Sequence, residues 1–171
     1  PRGGPSDRLT DLGYDLSYQF LGNRENIVQL SYVDILEQRR YGSTPSSPLT
    51  PGLVALPRGT LHDATLSATY VYRQSYGVQL AHLESNGTRD AARFGPYGDP
   101  DTTANLLSVF WAPFGKDDSL TASANLKLAA TWFRFTRFNG ATSNIFGAPT
   151  GAPATRPGDL DAFLVSASLA F

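Results

Sequence analysis

Residues 161–171 read DAFLVSASLAF, and counting by twos from Phe163 gives Val165, Ala167, Leu169 and Phe171. Side chains of an extended chain point alternately to two faces, so these five share one face of a β-strand. Ser166 and Ser168 fall on the other. A half-buried strand of any β protein would read the same way, so the decision rests on whether the pattern recurs.

It recurs six times upstream. Leu12, Tyr14, Leu16, Tyr18 and Phe20 alternate with Gly13, Asp15, Ser17 and Gln19. A second segment, Asn26 to Arg39, starts with Val28, Leu30 and Tyr32 against Gln29 and Ser31, then changes phase near Val33 and Asp34, where a bulge is expected. Leu61 to Tyr72 sets Ala64, Leu66, Ala68, Tyr70 and Tyr72 against Asp63, Thr65, Ser67 and Thr69. Tyr76 to Ser85 offers Tyr76, Val78 and Leu80 against Gln79, and Thr103 to Pro113 offers Leu107, Val109 and Trp111 with Leu106 and Phe110 opposed. In Leu120 to Phe135, Leu126, Leu128 and Trp132 oppose Asn125, Lys127 and Thr131, and these polar residues would interrupt any apolar helical stripe.

The connections alternate as well. Expected short turns at 22–25, 73–75 and 114–119 take turns with long segments at 40–60, 86–102 and 138–160 that are rich in Pro, Gly, Ser and Thr. Regular short–long asymmetry is the habit of a transmembrane β-barrel; a soluble sandwich or small soluble barrel has no reason for it. The expected fold is therefore all-β, an antiparallel transmembrane β-barrel with seven visible strands, and residues 1–171 form the C-terminal portion of one such domain. Seven is odd, whereas single-chain bacterial barrels are even-stranded. Further strands are expected from upstream of Pro1 or from another chain. The alternative is an eighth strand within 40–60, where Leu53 to Leu56 is the one apolar run, flanked by Pro51 and Pro57.

Composition agrees. Charged residues make up 17%, below the roughly 25% of ordinary soluble domains, while 16 Gly, 12 Pro and 12% aromatics suit strands joined by turns. No apolar run reaches about 18 residues, which excludes a transmembrane helix but not barrel strands. The first ten residues, PRGGPSDRLT, lack the apolar segment of a signal peptide, so an exported protein is expected here in processed or truncated form. A net charge of −1 leaves no electrostatic footprint for nucleic acid. With no cysteine there is no disulfide, zinc-thiolate site or haem-attachment motif, so no cofactor is expected on this chain.

A barrel assigns the two faces. The lipid-facing set is Leu12, Leu16, Tyr18, Val28, Leu30, Leu66, Ala68, Val78, Leu80, Val109, Leu126, Leu128, Val165 and Leu169. The lumen-lining set is Asp15, Ser17, Gln19, Gln29, Ser31, Asp63, Thr65, Ser67, Thr69, Gln79, Asn125, Lys127, Ser166 and Ser168. Lys127 falls among the lumen residues, which matters because a lysine at the bilayer midplane costs about 2–4 kcal/mol. Tyr18, Tyr72, Tyr76, Trp111, Phe114, Trp132 and Phe171 stand near strand ends, as interfacial girdles do.

Catalysis finds no support. His62 and His82 form no metal motif, and His82 and Ser85 point to opposite sides of a strand, so the chain is expected not to be an enzyme. Asp99 with Asp101, and Asp117 with Asp118, read as solvated turns, and Asn86-Gly87-Thr88 is a glycosylation acceptor only in a eukaryotic secretory route.

Two resemblances add to this. Phe163, Val165, Ala167, Leu169 and a terminal Phe171 resemble the C-terminal signal that the assembly machinery of Gram-negative outer membranes recognises. The stretch Trp132-Phe-Arg-Phe-Thr-Arg-Phe-Asn-Gly-Ala141, with the strand to Phe171, resembles the C-terminal end of proteobacterial porin-like barrels found beside c-type cytochromes, although the loop here is richer in proline. Together they imply a Gram-negative outer-membrane location. The partners implied are the lipid bilayer with its lipopolysaccharide, the assembly machinery, the remaining strands and a c-type cytochrome. The expected role is a non-enzymatic pore or scaffold with a polar lumen, the alternatives being a sheath around a multihaem electron conduit and a soluble β-sandwich binding module.

Overall fold

In the computed structural model, residues 6–22, 25–42, 55–94, 98–113 and 125–170 are described. Seven strands follow one another: β1 (Arg8–Phe20), β2 (Asn26–Arg40), β3 (Arg58–Tyr72), β4 (Tyr76–Gly87), β5 (Thr102–Trp111), β6 (Asn125–Arg137) and β7 (Ala162–Ala170). A four-residue helix α1 (Ala91–Phe94) precedes β5, and a 3₁₀ turn, Pro157–Leu160, precedes β7. Each strand pairs antiparallel with its neighbour in the chain, giving one sheet in the order β1-β2-β3-β4-β5-β6-β7. The sheet is open: among the described residues β1 and β7 do not pair with each other.

Two local expectations need correction. Register runs unbroken from Asn26 to Arg40 against both neighbours, so β2 has no bulge at Val33 and Asp34. The irregularity lies between Thr103 and Ala104 in β5. The phase change in β2 instead reflects a real exchange of polarity between the two faces, with Asp34 on the face of Leu30 and with Val33 and Ile35 on the face of Gln29. An eighth strand does not lie between β2 and β3, which pair directly; of the run Leu53 to Leu56, residues 55 and 56 are not strand and residues 53 and 54, with 43–52, lie outside the described residues. The expected short turn at 114–119 lies outside the described residues.

The hairpin between β3 and β4 is tight. Arg73 and Gln74 both have positive φ, 49° and 56°, the left-handed pair whose twist matches that of the flanking strands. At the other end of the sheet the three long connections pack together. Asp90, 7% exposed, accepts from Leu56 N at 2.9 Å and Ala92 N at 3.0 Å, tying the connection after β2 to the one after β4. Asp101 accepts from Gly87 N and pairs with Arg137, both at 3.1 Å, which adds the end of β6. Ile145, after β6, is 1% exposed. Gly140 has φ +73° and lies against the Asp99 carboxylate, so a side chain there would be strained and would collide.

Side chains buried in the described residues are few, and most lie outside the strands: Ala55, Asp90, Pro100, Ala112, Ile145 and Pro157, with Ala104 the exception. Among the described residues no second apolar layer packs against either face of the sheet, so these residues do not form the two-layer core of a sandwich.

Candidate functional site

The candidate site is the sheet itself, whose two faces follow from register. Directly paired residues of antiparallel strands point the same way, so each chain of pairings traces one row across the sheet. One row runs Tyr18, Leu30, Ala68, Leu80, Leu107, Trp132, Phe163. The next on that face runs Phe20, Val28, Tyr70, Val78, Val109, Ala130, Val165. Both are apolar across all seven strands apart from the tyrosine hydroxyls.

These rows are exposed, not packed. Tyr18, Leu30, Leu80, Phe163 and Val165 are 61, 46, 57, 70 and 68% accessible. At strand and residue spacings of about 4.8 and 3.3 Å, the two rows and the one below them cover roughly 600 Å², at the top of the range for the largest apolar patch of a soluble monomer. On β1 and β3 the apolar stretch is longer, Leu12 to Phe20 and Ala64 to Tyr72. Its far boundary is oblique: the row Leu16, Tyr32, Leu66 continues as His82, Asn105, Arg134.

The opposite face carries the sequence-predicted polar set. Gln19, Gln29, Thr69, Gln79, Ser108 and Thr131 form one row, and Ser17, Ser31 and Ser67 begin the next. Asp15 and Thr65 are in register through Val33 on the same face, as is Asp63, whose carboxylate accepts from Ser85 Oγ at 2.5 Å. Ser108 and Thr131 hydroxyls lie 2.8 Å apart. Lys127 is opposite Ser168 and places Nζ 4.2 Å from the ring centre of Phe110. That ring also covers Gly77, whose missing side chain leaves it room. Asn125 occupies the register position opposite Ala170. On β3 and β4, Ser67, Thr69 and Ala81 are half-buried while Leu66, Ala68 and Leu80 are exposed.

The aromatic residues sort by row. Tyr72, Tyr76 and Trp111 are consecutive in the row nearest the short turns. Trp132 marks the far boundary on β6, where the next residue on its face is Arg134, 5.9 Å from its ring centre. Tyr18 stands one step from Phe20 at the near end of β1. Phe114 and Phe171 lie outside the described residues; Phe163, Val165, Ala167 and Leu169 share the apolar face of β7.

Sequence reasoning missed two features. His62 does have a carboxylate partner, Asp34, at 2.9 Å, and Asp34 also accepts from Tyr32 Oη at 2.7 Å. The partner is 28 residues away and adjacent only through β2–β3 register. The polar face is also not uniformly polar, for Leu83, Leu106, Phe110, Phe133 and Leu164 belong to it. The blurred patterns of the fourth and fifth segments were the available signal. Among the described residues no group of three or more His, Cys, Asp or Glu could hold a metal, and no helix is long and apolar enough to cross a membrane. No protein-family model matches the chain, and no curated protein or solved structure shows significant similarity to it.

Proposed function

We propose that this chain is part of a β-barrel of the Gram-negative outer membrane, a non-enzymatic pore or scaffold with its polar face turned to the lumen. The observation that carries the reading is the pair of apolar rows spanning all seven strands on an exposed face, backed by a polar row on the other. In a bilayer every backbone polar group must be satisfied within the protein, and a closed barrel does that through its ladders. From Leu12 to Phe20 the apolar stretch is about 27 Å along the strand and, tilted by about 40°, about 20 Å high. Girdle aromatics extend it toward the roughly 25 Å of a barrel's apolar band. The free edges of β1 and β7 are where the remaining strands join. The partners are then the bilayer with its lipopolysaccharide and the assembly machinery whose signal the β7 pattern resembles.

A specific observation favours the scaffold form. Leu83, Leu106, Phe110, Phe133 and Leu164 would face the lumen, and apolar side chains in contact with pore water gain nothing by being there. A partner seated inside would cover them, as the resemblance to barrels beside c-type cytochromes implies. The test is expression in a Gram-negative host followed by membrane fractionation and purification in detergent. Heat-modifiable migration and recovery with the outer membrane are expected, and haem absorbance in the purified complex identifies the cytochrome sheath. Recovery of a folded protein from the soluble fraction without detergent refutes the barrel and favours a soluble binding module.

A further inference from the structure

Beyond the apolar band, the same face ends in arginines. Arg8 pairs with Arg40 and Arg40 with Arg58, so three guanidinium groups stand side by side on adjacent strands. All three residues are exposed, and none forms an ion pair with another described residue. The next row inward is Thr10, Gln38, Thr60, and the one after it Leu12, Leu36, His62. From the long-loop end this face therefore passes from cationic to hydroxyl and amide, and then to Leu12 on β1 and Leu36 on β2, with His62 beside them on β3.

Like charges placed directly opposite one another in a sheet repel, so an unneutralised arginine row is unfavourable on its own. Arginine is also the side chain whose planar fork fits phosphate oxygens, two at a time. The row borders an open groove of about 550 Å³ whose other walls include Thr10, Gln38, Thr60 and Thr88. Thr60 and Thr88 hydroxyls lie 3.2 Å apart there, offering donors and acceptors for sugar or phosphate oxygens.

We propose that Arg8, Arg40 and Arg58 form a binding site for the phosphorylated headgroup of an outer-leaflet glycolipid. This rests on the barrel reading, which puts the apolar rows against acyl chains and the long-loop end outside the cell. Four residues along a strand, about 13 Å before tilt, separate the arginine row from the first leucine row, so the guanidiniums reach headgroup level. A free anion would satisfy the charge alone; a lipid would also set its acyl chains along the apolar rows that lie further in on the same face.

The experiment uses the protein purified in detergent and reconstituted into phosphatidylcholine vesicles with or without bisphosphorylated lipid A, bound lipid being counted by native mass spectrometry. Expected are retained lipid A, at least roughly tenfold weaker retention in R8Q/R40Q/R58Q, and no change in R73Q, which removes a charge at the opposite end of the sheet. Dephosphorylated lipid A should bind the native protein as weakly as the bisphosphorylated form binds the triple variant. Equal retention by triple variant and native protein overturns the site while leaving the barrel standing. Displacement by millimolar inorganic phosphate alone overturns the lipid as occupant. Failure of the protein to insert into vesicles when produced together with the strands that close its barrel overturns site and barrel together.

Discussion

Leu30 and Gln29 are consecutive residues on opposite faces of β2, and replacing each with arginine separates a membrane sheet from a soluble one. Leu30 lies in the fully apolar row between Tyr18 and Ala68, at the middle of the Val28, Leu30, Tyr32 stretch, and is 46% exposed. In water, a substitution at so accessible a position changes stability by about 0.5 kcal/mol or less. Against acyl chains near the midplane, arginine costs about 2–4 kcal/mol, a factor of roughly 30 to 1,000 in the folding equilibrium. Gln29, in the row of Gln19, Thr69 and Gln79, has polar neighbours and a route to water, so Q29R should stay within about 0.5 kcal/mol of the parent. The assay is urea-dependent folding into short-chain phosphatidylcholine vesicles, read by tryptophan emission and heat-modifiable migration. L30R should lower the midpoint strongly with an unchanged slope, and Q29R should leave it in place. Equal tolerance of both, or a large loss in Q29R with none in L30R, would refute the assignment of faces.

Three further outcomes follow from particular contacts. G77V places a branched side chain where the Phe110 ring lies, so a residue that normally favours strands should here cost about 1–3 kcal/mol in the same vesicle assay, with partial recovery in G77V/F110A. D90A deprives the Leu56 and Ala92 amides of their acceptor, and about 1–3 kcal/mol of local stability should be lost; hydrogen exchange should quicken around 55–57 and 88–94 with strand protection unchanged. G140A strains a left-handed backbone position and presses on the Asp99 carboxylate, so limited proteolysis after β6 should speed up while the β-sheet circular-dichroism signal is kept.

The clearest strands in the sequence are those whose faces differ most. β1 and β3 are legible because Leu16, Tyr18, Leu66 and Ala68 alternate with Ser17, Gln19, Thr65 and Ser67, and the structure keeps those phases. β2 misleads because Val33, Asp34 and Ile35 invert the pattern without a bulge: polarity changes face while the ladder continues. The one register shift, at Thr103 and Ala104, leaves no pattern to notice in so short a stretch. The polar set was readable one strand at a time, but not the row that Gln19, Gln29, Thr69 and Gln79 make together.

Periodicity by itself determined that the chain is all-β, that its strands follow one another as hairpins, and, where the two faces differ clearly as in β1 and β3, which residues share a face, since alternation is a property of a single extended segment. Register between strands is set by turn lengths, loop packing and cross-strand fit, and none of these can be read from one strand. Only the tertiary structure therefore aligned seven separate stripes into continuous rows, brought Asp34 to His62, gathered the long connections around Asp90 and Asp101, and set Arg8, Arg40 and Arg58 side by side.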